Sequence, residues 1–163
     1  MQYLTYHGLV CRNYAECQSQ DGIGIAPFWL YDKGEGVSAD FQKAMQYYQW
    51  AARAGNATAM NEVGYLYRNG KGVAENDTVA MRWYQRSAAA GNEVGMCNVG
   101  WMYQHSPAIG VDYAKAIEWY TKAAGKGDSK AMNNIAGMYE EGIGVKKDKG
   151  VAAQWHEKAL TQK

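Results

Sequence analysis

A shift of 36 residues lays most of this chain on top of itself, and few folds are compatible with that. Tyr31, Tyr67, Tyr103 and Tyr139 align, as do Leu30, Leu66, Met102 and Met138. Further columns are Val37, Val73, Ile109 and Val145, then Asp40, Asn76, Asp112 and Asp148, then Ala44, Ala80, Ala116 and Ala152. Tyr47, Trp83, Trp119 and Trp155 form an aromatic column, and Gly55, Gly91 and Gly127 a glycine column. No gap is needed from about residue 27 to the end. A fixed period of this length marks stacked supersecondary units, each too small to bury its apolar face alone.

Each unit reads as two helices. In the second copy the first helix is expected over about 57–69, with Met60, Val63, Leu66 and Tyr67 at helical spacing. Asn56, Asn92 and Asp128 precede the first helices as N-caps, whose side-chain oxygen takes an orphan backbone N–H. Gly34, Gly70 and Gly142 end them, because glycine enters the left-handed cap conformation without a Cβ penalty. A second glycine two residues on (Gly36, Gly72, Gly144) helps the turn, and the valine after it tucks back into the core. The second helix starts at the Asp/Asn column and carries Ala80, Trp83, Tyr84, Ser87 and Ala88 on one face. Small residues at Gly64, Gly100, Ala136 and the Ala44 column allow close helix approach.

The segment AMNEVGYLYRNGKGVAENDTVAMRWYQRSAAAG (59–91) resembles the Sel-one-like repeat (SLR), a relative of the tetratricopeptide repeat. DYAKAIEWYTKAAGKGD (112–128) and MYEEGIGVKKD (138–148) carry the same pattern. The resemblance covers roughly 27–163 and implies an all-α, right-handed α-solenoid of stacked antiparallel helix pairs with a 36-residue period. It also implies a non-enzymatic scaffold or adaptor, of a kind common in bacterial host interaction, signalling and envelope processes. Four repeats are expected at about 27–55, 56–91, 92–127 and 128–163, after a non-repeat segment 1–26. In that segment Val10, Tyr14 and Cys17 fit a short capping helix, and no sheet is expected anywhere. Pro27 points to a late start for the first helix of the first copy. In the third copy Ser106-Pro107-Ala108 replaces the glycine pair without a change of length, which predicts a differently shaped turn and an intact repeat.

Composition narrows the function. Seventeen basic and 16 acidic residues give a net charge of +1, without the footprint of a nucleic-acid or anionic-membrane binder. No apolar run approaches membrane-spanning length. The N-terminus lacks a signal-peptide pattern, so a cytoplasmic protein is expected, with export left open if the N-terminus is incomplete. Cys11, Cys17 and Cys97 have no framework spacing and read as free thiols, which sets this chain apart from the cysteine-stapled members of the family.

Nothing reads as catalytic machinery, metal site or cofactor site. The GxG pairs follow helices, whereas a phosphate cradle lies between a strand and a helix N-terminus. His7, His105 and His156 lack metal-ligand spacing, and His156 occupies a tyrosine column, as a packed or edge histidine would. Cys97 reads as a small surface or groove residue, and the tryptophan column as core. Trp50 stands where the other copies have Arg86, Lys122 and Lys158, so cover by residues 1–20 is expected.

A partner must use positions that the core does not need. The non-core face of the first helices carries Trp29 in the first copy, Asn61, Tyr65 and Arg68 in the second, Cys97, Trp101 and Gln104 in the third, and Asn133, Gly137 and Glu140 in the fourth, and all of these but Cys97 and Gly137 are the expected partner contacts. In the superfamily the first helices line the concave side, and aromatic and arginine residues dominate binding energy at protein interfaces. The leading expectation is therefore a protein or peptide segment bound in the concave groove. Self-association through the face of the last second helix is the competing reading. A hydrolase is the least supported.

Overall fold

In the computed structural model the described residues are Leu4–Tyr6, Leu9–Cys11, Cys17–Gln18 and 40–162. Among them are seven helices: α1 (Phe41–Arg53), α2 (Ala57–Arg68), α3 (Asp77–Ala89), α4 (Glu93–His105), α5 (Tyr113–Ala124), α6 (Ser129–Glu141) and α7 (Lys149–Thr161). The residues fall into two compact units, 1–83 and 84–163. In the first, α1 packs against α2; in the second, α4 pairs with α5, α5 with α6 and α6 with α7.

The N-terminal segment corrects one expectation. In place of a helix through Val10 and Cys17 it has three short antiparallel strands, β1 (Leu4–Tyr6), β2 (Leu9–Cys11) and β3 (Cys17–Gln18). Val10 pairs with Thr5 on β1 and with Gln18 on β3. Helical spacing of three apolar residues is a weak signal over so short a segment, and Val10, the β-branched residue of Leu9-Val10-Cys11, suits a strand. Tyr14 and the first helix of the first copy, with Pro27 and Trp29, lie outside the described residues.

The helices begin where side-chain caps are available. For the first helix of a pair, Asn56, Asn92 and Asp128 accept from the backbone N–H groups of Ala59, Gly95 and Ala131 at 2.8, 2.7 and 2.6 Å. For the second, Asp40, Asn76, Asp112 and Asp148 accept from Lys43, Val79, Lys115 and Val151 at 2.9–3.0 Å. These bonds satisfy donors that the helix itself leaves orphaned. They also hold the Asp40 and Asp112 carboxyls below their ordinary pKa, with the backbone N–H as the largest cause.

The turns are equally periodic. Gly55, Gly91 and Gly127 have φ of 93°, 90° and 92°. The next residue in each case, Asn56, Asn92 or Asp128, donates its N–H to Ala51, Ser87 or Ala123 at 3.1 Å. Within the pairs, Asn76, Asp112 and Asp148 donate to Tyr67, Tyr103 and Tyr139 at 2.8, 2.8 and 2.9 Å. The third copy keeps that closing bond although its glycine pair is gone, and the left-handed residue moves to Gly110 (φ 86°). The altered turn and intact repeat expected from Ser106-Pro107-Ala108 are both present.

The core lies on alanines, branched residues and one aromatic column. Ala44, Ala80, Ala116 and Ala152 are all buried. The buried aromatics are Tyr48, Tyr84 and Tyr120; the tryptophans beside them are a correction, for Trp83, Trp119 and Trp155 are half-buried. A lysine one turn on covers two of those rings, Lys122 at 4.5 Å from the Trp119 centroid and Lys158 at 4.4 Å from that of Trp155. Trp sits at the edge of this face and Tyr at its centre. Adjacent residues on a helix differ by about 100°, which the periodicity alone does not resolve. Trp50 is 57% exposed, and most of the segment expected to cover it lies outside the described residues.

Candidate functional site

The first-helix faces were built residue by residue from the period, and the structure treats their members differently. In the first unit Asn61 is buried, with its Nδ2 donating to Glu62 Oε1 at 3.1 Å. It therefore belongs to the interior, a correction to its reading as a non-core residue. Tyr65 is half-buried against the α1–α2 core. Lys71 covers it: Nζ donates to the Tyr65 hydroxyl at 3.0 Å and lies 4.8 Å from the ring centroid and 4.9 Å from that of Phe41. Arg68 is half-buried at the end of α2.

The second unit brings four of the expected residues onto two neighbouring helices. Asn134 on α6 donates to the Cys97 sulfur on α4 at 3.7 Å, so these first helices lie side by side. Cys97 is buried, not superficial; burial first, then the nearby Asp128 carboxylate, push its thiol up to about 12. Such a thiol stays protonated and unreactive. One turn on, Trp101 is half-buried against the core, and His105 stacks on it with centroids 4.5 Å apart and planes 19° from parallel. Gln104 accepts from the Tyr120 hydroxyl of α5 at 2.9 Å. Burial pushes that hydroxyl's pKa up, so it remains a donor.

On α6, Asn133, Gly137 and Glu140 are spaced i, i+4 and i+7 and share a face. Asn133 and Glu140 are exposed. Both meet His156 of α7, at 2.8 Å from Asn133 Oδ1 to Nδ1 and 3.5 Å from Glu140 Oε1 to Nε2. Between them a Cβ built on Gly137 would meet no atom within 4 Å. The aligned residues in the second and third copies are Tyr65 and Trp101. The α6 face therefore has an open floor where the others carry a ring.

Sequence reasoning missed His156 as a member of this face, because it lies on a second helix. The signal available was its place as the single histidine in a tyrosine column. Among the described residues no group of three or more acidic, histidine or cysteine side chains could hold a metal ion. Among them no helix is long and apolar enough to cross a membrane.

A face of recurring first helices, closed by N-capped turns and packed on alanines, defines a helical-repeat protein. The Sel1 repeat model matches at residues 15–56, 57–92, 94–128 and 129–163, and the chain belongs to that family. The first match opens at residue 15, where the columns were read from about 27. A Sel1 repeat protein from Oxalobacter formigenes is similar at 30% identity and a TM-score of 0.77, over 88% of this chain and 61% of that one. A protective antigen present in uropathogenic Escherichia coli strains, displaying an SLR fold, is similar at 31% identity and a TM-score of 0.70, over 83% of this chain and 29% of that one. The chain thus spans less than two thirds of either protein. Helicobacter pylori cysteine rich protein B shares the fold at 18% identity and a TM-score of 0.57, over 67% of this chain and 80% of that one. None of the curated proteins matches the chain. The fold class is the all-α solenoid of consecutive helix pairs. Sel1 repeat proteins are generally protein-interaction scaffolds and typically non-enzymatic.

Proposed function

We propose that this protein is an interaction module that binds a segment of another polypeptide along the first-helix face of its second unit. The residues that would make the contact are Trp101, Gln104, Asn133 and Glu140. The carrying observation is the open space at Gly137, flanked on its own helix by an exposed amide and an exposed carboxylate. An extended backbone can bond to such an amide, and Glu140 favours a basic side chain on the segment. Trp101 supplies aromatic area of the type that anchors interfaces. Its ring also packs on the core, so truncating it confounds folding with binding.

Filling the space is the cleaner test. Gly137→Trp puts the third copy's own residue type into the fourth, at a position where an added Cβ meets nothing within 4 Å. The wild-type chain and the variant are immobilised, and the polypeptides retained from an extract are quantified. A specific polypeptide held by the wild type and weakened roughly tenfold or more in the variant, about 1.4 kcal/mol, is the expected result. Equal retention by a variant with an unchanged melting curve would place binding on another face.

A further inference from the structure

We infer that His156, held by Asn133, is an acid-operated latch that draws Glu140 onto α7 when its ring is protonated. The inference starts from a coupled substitution between repeats. In the third copy, α4 and α5 are tied by a neutral pair, with the Tyr120 hydroxyl on Gln104 at 2.9 Å. Thirty-six residues on, both members change: tyrosine becomes His156 and glutamine becomes Glu140. The contact survives the change, with His156 Nε2 3.5 Å from Glu140 Oε1. A neutral tie has become an ionisable one at the same place in the fold.

The other ring nitrogen fixes how the pair responds to protons. Asn133 Oδ1 is an acceptor 2.8 Å from Nδ1, so the neutral ring carries its proton on Nδ1. Nε2 then turns a lone pair toward the Glu140 carboxylate. Two acceptors face each other, which agrees with a separation too long for a hydrogen bond. Protonation puts a hydrogen on Nε2 and turns that approach into a charge-assisted bond. An imidazole ordinarily changes charge between about pH 5 and 8. The sign follows: the second contact exists with the ring protonated and is lost when the proton leaves.

The groups that face the ring from α6 are Asn133 and the single titratable carboxylate Glu140. On α7 itself Glu157 follows it in sequence, Lys149 lies seven residues before, and Lys158 is turned onto Trp155. Both side chains of the pair are about half exposed, at 42% and 48%. The latch is therefore a modest bias that moves one surface carboxylate and leaves the fold in place. Its consequence for binding rests on the function proposed above: at neutral pH Glu140 is available to a partner's basic side chain, and on acidification His156 competes for it.

Partner-free NMR of the full chain separates the latch from that reading. Nitrogen shifts of the His156 ring should show the Nδ1–H tautomer at pH 8. As the ring is protonated by acid, the Glu140 carboxyl carbon should shift together with the ring nitrogens, and that coupled shift should vanish in H156Y. Exchange of α7 amides, corrected for intrinsic rates, should slow about two- to fivefold on protonation of the ring, the size an exposed ion pair supports. In E140Q, which keeps the histidine, that slowing should be lost. An Nε2–H tautomer at pH 8, or a Glu140 carbon that does not sense the ring, would overturn the latch. With the latch established, failure of any polypeptide to bind at either pH would count against the proposed function alone.

Discussion

At Gly95 a missing Cβ and at Ser87 an added hydroxyl answer each other. A Cβ on Gly95 would lie 2.5 Å from Ser87 Oγ and 3.0 Å from the backbone N of Ala88. The corresponding pairs in the neighbouring copies are Ala59 with Ala51 and Ala131 with Ala123, all fully buried. Volume is conserved across the pair and not at either position, as close packing demands. Gly95→Ala alone should cost about 1–3 kcal/mol by overpacking. Adding Ser87→Ala rebuilds the Ala–Ala pair and should recover most of that loss in denaturant unfolding; additive losses would contradict the account. Cys97 gives a second residue-scale expectation. With the thiol held near 12, its peptide should remain unlabelled by iodoacetamide at pH 8 in native protein and label once urea unfolds it. Rapid native labelling would show a thiol open to solvent.

These residues also mark how far the sequence could be read. The alanine columns were legible because small side chains repeat at crossings. Asn61 and Cys97 were misplaced because a polar residue inside is satisfied by partners that spacing does not reveal, Glu62 for one and Asn134 for the other. Trp and Tyr were both read onto the core face because both sit on the inner half of the helix, and only the lysines over the outer rings mark Trp as its edge. His156 was noticed for its column, but its bonds to Asn133 and Glu140 depend on how α7 lies on α6.

At the scale of elements, caps and turns were the most readable part, because each rests on a local bond. Every Asn or Asp column read as a cap accepts its N–H among the described residues. The third turn shows what is conserved beneath the residue types: the bond from Asp112 to Tyr103 persists while the left-handed glycine shifts to Gly110. The N-terminal strands were not read, since a three-residue strand offers too short a run for its period to register. Two glycines separate conformation from contact. Gly55 (φ 93°) has nothing within 4 Å of a Cβ, whereas a Cβ on Gly72 (φ 70°) would lie 2.7 Å from the Phe41 carbonyl carbon. Gly55→Ala should cost only the strain of a left-handed alanine, about 1 kcal/mol. Gly72→Ala adds a clash with backbone at the start of α1 and should cost clearly more, about 3 kcal/mol. Equal losses in equilibrium unfolding would mean that the loop does not rest on α1.

At the scale of the whole molecule, the period defined the class before any contact was known, and membership of the Sel1 repeat family agrees with it. Within each unit the alanines, tyrosines and caps hold helix to helix, and the first-helix faces vary from copy to copy. Lys71 covers the ring in the second copy, His105 covers it in the third, and Gly137 leaves the fourth open. Site-specific photo-crosslinking tests most directly whether that open face is where a partner sits. A benzophenone side chain is placed at Asn133 or Gln104 on the proposed face, and at Lys122 or Lys158 on the lysine-covered outer side. One polypeptide crosslinked from Asn133 and Gln104, and not from Lys122 or Lys158, is the predicted result; the same polypeptide crosslinked only from the outer positions would contradict it.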